Sequence, residues 1–234
     1  MSAITRPTEQ VVSPVTLALF EDSGWYKADY SVTQLSTLGR GAGCDFVYED
    51  CIKNGKVPDW GKGYFCSDLY GSKSSKIMCD STHDFLAKCD LVDFKDYSNS
   101  VPPNSRYQYF PDKPTWGGLL HTADYCPMPS IVVSGKIGSK EFDFQCQDSR
   151  LESNLEPEYF GTKSKCFNTD FNRPICMRTV CDTKQLKVII FPKSNDNTFL
   201  PSITCEKDGD WMDIPGLPDG SKFECPKLNL ICPE

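Results

Sequence analysis

Between Val15 and Asp22 the chain reads Val-Thr-Leu-Ala-Leu-Phe-Glu-Asp, and its apolar residues fall on most sides of a helical wheel. Ser13 is a good N-cap, Pro14 suits the first helical position, and Gly24 suits the left-handed residue after a helix. The pattern therefore predicts a helix over 15–22. A helix apolar around most of its circumference belongs in an interior, so burial is expected, with Trp25 and Tyr26 packed beside it. Leu35–Gly43 reads as a linker, because Gly39, Gly41 and Gly43 break the chain. Beyond it the apolar runs are short. Cys44–Ile52 predicts a short helix, and Phe85–Cys89, Ser130–Val133, Gln185–Phe191 and Ser202–Cys205 predict short strands. Pro102, Pro103, Pro111, Pro114, Pro127 and Pro129 punctuate the middle. The expected class is α+β, with short antiparallel strands, a few short helices and long loops. There is no internal repeat and no low-complexity segment.

Composition changes this picture in one respect. The 234 residues carry 13 cysteines, spread among Gly, Pro and Asn. That density reads as a disulfide framework made in an oxidising compartment. A zinc-ribbon protein of the cell interior is the weaker alternative, since no C-x-x-C pair occurs. Thirteen is odd, so one cysteine is free or pairs outside the chain. The net charge is −7 with a pI near 5.0. No Lys/Arg cluster marks a nucleic-acid surface. The apolar runs reach only four residues, as in Val188–Phe191, too short to span a membrane. Met1 is followed by Ser-Ala-Ile-Thr-Arg-Pro, without the apolar core of an export signal. No GPI-type tail follows Cys232, and no N-x-[ST] sequon is present. A disulfide-rich chain without an export signal implies that the sequence begins inside a longer protein.

Candidate chemistry is sparse. The two histidines, His83 and His121, belong to no H-E-x-x-H. His83 lies near Asp80 and Asp84, which allows weak metal binding, but a plain hydrogen-bonded histidine is the better reading. No G-x-S-x-G elbow supports a serine triad. Gly39-x-Gly41-x-Gly43 lacks the strand and helix that a phosphate loop needs. Asp45 and Glu49, at helical spacing, read as solvated. On its residues alone the chain has no catalytic centre.

Three stretches share a resemblance. They are Met1-Ser2-Ala3 with Pro14 to Tyr30; Gly41 to Phe46 with Cys51 after it; and Tyr107 to Phe110 with Ala123-Asp124-Tyr125-Cys126-Pro127. Together they resemble the leishmanolysin family of surface zinc metalloproteases, which are metzincins. In that family two histidines of H-E-x-x-H and a third, downstream, hold Zn2+, and the Glu is the general base. The resemblance implies that Met1 falls on the methionine of the Met-turn. Ser2, Ala3 and Ile4 then become candidate walls of the substrate pocket. Residues 1–36 become the end of the catalytic domain, with its last helix, and residues 37–234 a cysteine-rich C-terminal domain. The zinc ligands and the catalytic Glu would precede residue 1, so this chain alone binds no zinc and is inactive. The resemblance also implies the pairs Cys51–Cys126, Cys66–Cys89, Cys79–Cys166, Cys146–Cys176, Cys181–Cys232 and Cys205–Cys225, with Cys44 bonded upstream. His121 departs from the family pattern. The implied function is that of a zinc metalloendopeptidase acting on extracellular or host proteins, at the cell surface or secreted. Its partners are peptide substrates and the missing catalytic half. The alternative is a non-catalytic, disulfide-rich adhesion or binding module.

Overall fold

The computed structural model describes residues 12–33, 37–73, 75–97, 102–137, 140–153, 155–171, 173–182, 187–194, 196, 198–217 and 220–232. Met1, Ser2, Ala3 and Ile4 lie outside the described residues. In chain order the elements are helices α1 (Pro14–Asp22) and α2 (Asp45–Tyr48), then strands β1 (Ile77–Cys79), β2 (Leu86–Cys89), β3 (Leu91–Asp93), β4 (Trp116–Gly118) and β5 (Pro129–Val132). They continue with β6 (Ser134–Ile137), β7 (Lys140–Asp143), β8 (Ser164–Phe167), β9 (Ile175–Asp182), β10 (Lys187–Phe191), β11 (Ile203–Cys205), β12 (Trp211–Asp213) and β13 (Lys222–Glu224), and end with α3 (Leu228–Ile231). This is the α+β, disulfide-rich class that the sequence predicts.

Helix α1 starts as its sequence dictates: the Ser13 hydroxyl accepts a hydrogen bond from the Thr16 N–H at 3.1 Å, and Gly24 takes φ +74°. The expected burial does not hold among the described residues. Val15 is 79% exposed and Trp25 84%, because no described element packs over them. Phe20 and Tyr26 meet edge to face at 5.9 Å, and the Tyr30 hydroxyl donates to Glu21 Oε2 at 2.8 Å. These contacts are local.

Two sheets organise the rest. The order β1-β2-β5 is one, β11-β10-β9-β8 the other, and every pairing in them is antiparallel. Strand β10 shows why it belongs there: Val188 and Ile190, two residues apart, point into the core while their neighbours stay partly exposed. They join Phe167, Ile175, Met177 and Phe223 in the largest apolar cluster. The predicted strand began at Gln185, which lies outside the described residues, and the described strand begins at Lys187.

The disulfides are part of the core. Cys166 and Cys176 face each other across β8 and β9, yet each bonds elsewhere, Cys166 to Cys79 of β1 and Cys176 to Cys146. All four are buried, so this sulfur cluster fastens one sheet to the other. Cys181–Cys232 ties β9 to the end of α3, and Cys205–Cys225 ties β11 to the residue after β13. Cys51–Cys126 and Cys66–Cys89 close the N-terminal loops around Ile52, Leu91 and Phe110. Each bridge of this kind contributes about 2–5 kcal/mol. No helix among the described residues is long and apolar enough to cross a membrane.

Candidate functional site

The two histidines have different surroundings. His83 sits at φ +57° in the turn between β1 and β2 and is buried. Its Nδ1 lies 2.7 Å from the carbonyl oxygen of Cys166, and its own carbonyl accepts the Cys166 N–H at 2.7 Å. Burial holds the imidazole neutral, with its pKa pushed down to about 4. Asp80, also buried, organises the same turn. It accepts hydrogen bonds from the Thr82 N–H and hydroxyl, the Asp84 N–H and the Phe85 N–H. Burial raises its pKa to about 6, against those hydrogen bonds, which favour the charged form. Asp84 leaves the turn to pair with Lys165 at 2.8 Å. The turn therefore welds β1–β2 to β8 beside the Cys79–Cys166 bridge. Sequence reasoning missed this role of Asp80, although an Asp whose carboxylate can accept the N–H two residues on, here that of Thr82, is a turn signal. His121 lies in a single exposed turn, His121–Ala123.

These residues do not fit a zinc site. One nitrogen of His83 is committed to a carbonyl and both oxygens of Asp80 to their donors. Among the described residues no group of three His, Cys, Asp or Glu side chains converges to hold a metal ion. The carboxylates Asp45 and Glu49 flank α2: Asp45 is in its first turn, and Glu49 bonds Lys53 at 2.5 Å.

The region around Cys44 is built differently. The segment expected as a loose linker is held down from residue 37 onward. Gly39 lies against the Phe46 ring, and a side chain there would meet that ring at 2.8 Å. The carbonyl of Arg40 accepts from the Tyr64 hydroxyl and from Asn229 Nδ2, the latter at 2.7 Å. Lys227 donates to the Trp60 carbonyl at 2.7 Å and lies over the Tyr64 ring at 4.6 Å. Phe46 is gripped by Trp60, Tyr64 and Phe65, with ring centroids 5.9–6.2 Å away. Helix α2 is shorter than the predicted 44–52, because Glu49 is extended and Cys51 is drawn to Cys126.

With Phe46 turned inward, Val47 and Tyr48 turn outward, 75% and 83% exposed. Cys44, three and four residues before them, shares their side of the turn. It is an exposed free thiol, and the other twelve cysteines are bonded. Beside this face opens a cavity of about 300 Å³, bordered by Leu38, Val47, Tyr48, Tyr107, Tyr109 and Met128. Glu49, Asp50, Asp124 and Arg106 also line it.

Comparison with known proteins adds the identity of the chain. A leishmanolysin-like peptidase of Caenorhabditis elegans is 34% identical over 187 residues, which is 73% of this chain and 27% of the relative. Its Caenorhabditis briggsae counterpart is 33% identical over 190 residues, with the same two shares. The leishmanolysin of Leishmania amazonensis is 32% identical over 184 residues, 72% of this chain and 27% of the relative. The chain thus spans about a quarter of the length of the relatives it matches. No solved structure matches it. The profile of the M8 peptidases, leishmanolysin, matches residues 3–234. Since that match covers nearly every residue, the chain belongs to the leishmanolysin family of metallopeptidases.

Proposed function

We propose that this chain is the C-terminal, disulfide-braced portion of a zinc metalloendopeptidase that cleaves extracellular proteins. One observation carries the reading: the family match runs through residues 3–234, yet the chain has no H-E-x-x-H and spans 27% of its relatives' length. The zinc ligands and the general-base Glu would precede Met1, and Zn2+ with its activated water would belong to the full-length parent. Met1 would form the Met-turn, and Ser2, Ala3 and Ile4 would line the substrate pocket. Residues 1–36 would close the catalytic domain, with α1 as its last helix. The exposed Val15 and Trp25 support this, since an interior-type helix needs a covering surface. Residues 37–234 would brace the cleft from outside. Cys44 would bond a cysteine upstream, and the six internal bridges support passage through an oxidising secretory compartment.

The test compares the 234-residue chain with the full polypeptide, both folded under oxidising conditions, for zinc content and peptide cleavage. Stoichiometric zinc and chelator-sensitive cleavage are expected of the full polypeptide only. Zinc-dependent cleavage by the 234 residues alone would overturn the proposal.

A further inference from the structure

Helix α2 presents an apolar face that nothing described covers, and that face is anchored before any partner arrives. Phe46 is locked among three aromatic rings, and Gly39 and Gly41 are seated against Phe46 and Asn229. The backbone that carries Val47 and Tyr48 is therefore anchored while their side chains stand in water, a costly arrangement for two large apolar side chains. Leu38, 42% exposed, and the adjoining 300 Å³ cavity extend the apolar surface. The rim is weakly acidic: Asp50 and Asp124 stand against Arg106, and Glu49 is paired with Lys53. The free thiol of Cys44 stands on the same side of the turn.

We infer that this face is the non-covalent seat for a segment of the same protein lying outside these 234 residues. That segment is apolar, flanked by basic residues and carries a cysteine. The proposal deepens the reading above and rests on it, because it assumes that the remainder of the longer protein is the partner. The length argues for that occupant, since about three quarters of each matched relative lies outside the aligned region. The acidic rim argues for the basic flank. Preorganisation argues that docking comes first, because an anchored face costs little ordering on association. The bridge then forms by thiol–disulfide exchange with a carrier disulfide of the oxidising compartment, which is reduced to its dithiol as the two thiols are joined.

The test uses the full polypeptide with a protease site introduced at residues 34–36, so that α1 leaves with the preceding part and α2 stays with the rest. Peptide mapping without reduction reads the covalent question by itself. A bridge from Cys44 to a cysteine outside residues 1–234 is expected, and a free Cys44 would overturn that pairing in the reading above. The docking question is read in the cleaved Cys44→Ser protein, which has no such bridge. Its two parts are expected to remain associated on gel filtration. Adding Val47→Asp and Tyr48→Asp is expected to raise Kd about tenfold or more. Separation of the Cys44→Ser parts, or association indifferent to the two aspartates, would overturn the docking proposal whatever the mapping shows. Both positions are already solvent-exposed, so circular dichroism of each variant is expected to match the parent. The milder Tyr48→Ser, expected to weaken association in the same direction, guards against misfolding of the double variant.

Discussion

Replacing Arg173 by Met strands a charge in the interior. Glu158 is buried, and its two oxygens each meet an Arg173 nitrogen at 2.6 Å. Its Oε1 also accepts the Cys176 N–H at 3.4 Å. Methionine keeps the aliphatic stem and removes both charge-assisted hydrogen bonds. Removing one partner of a buried pair costs about 3–5 kcal/mol. The Arg173 side chain is 34% exposed, so water replaces part of what is lost, and about 2–3 kcal/mol is the expected destabilisation. At a slope of about 1–3 kcal/mol per molar urea, the unfolding midpoint of the oxidised chain falls by roughly 0.7–3 M. The double variant Glu158→Gln/Arg173→Met is the sharper measurement. It has no buried charge to strand, so it is expected to be more stable than Arg173→Met alone by about 1 kcal/mol. Losses that simply add, with the double variant less stable than either single one, would refute the reasoning that the unpaired carboxylate is the source of the damage.

Four further outcomes rest on the same contacts. His83, held neutral by burial with a pKa near 4, should show no imidazole titration by NMR until about pH 4. Its folded value lies below the ordinary 6.5, so its contribution is complete above pH 6.5 and is lost progressively as pH falls toward 4, by about 3 kcal/mol. Asp80, raised to about 6, works in the opposite sense: its contribution is complete below about pH 4 and lost as pH rises through 6. His83→Gln should therefore gain stability relative to the parent as pH is lowered from 6.5 to 4, measured by denaturant titration at each pH. A maleimide reagent should add one label per native 234-residue chain, on Cys44, because the other twelve cysteines are bonded; mass spectrometry showing two or more labels without reductant would contradict this. Cys79→Ala with Cys166→Ala should destabilise the chain by about 2–5 kcal/mol in urea, since that bridge joins the two sheets.

Legibility in the sequence followed the range of the forces involved. The two ends of helix α1 were readable because their signals are local: a serine hydroxyl three residues from the N–H it caps, a proline at the first position, a glycine where φ turns positive. Strand β10 was readable as a short apolar run, but its period-two burial was not, because Val188-Ile189-Ile190-Phe191 is apolar without alternation. Helix α2 was over-extended because its end is set by a bridge from Cys51 to Cys126, 75 residues away, which no local pattern contains. Strand β9, the longest, was missed although it holds the β-branched pair Thr179-Val180. Its cysteines read as framework, and its partners lie on both sides of it in the chain. The ion pair of Glu158 with Arg173 left no trace in the sequence, for neither residue type announces burial.

The Cys44 face shows where pattern and packing must be read together. Phe46, Val47 and Tyr48 are three consecutive large apolar residues, and sequence alone cannot say which of them points inward. The cage of Trp60, Tyr64 and Phe65 assigns Phe46 to the interior, and a single helical turn then forces Val47 and Tyr48 outward beside the thiol. A surface built by so many inward contacts is unlike a frayed loop that happens to be apolar. The same aromatic cage that stabilises this region also holds out the two residues with most to gain from a partner. Stability and docking at this site are therefore coupled: Phe46→Ala should loosen the cage and weaken association together, whereas Tyr48→Ser should weaken association alone.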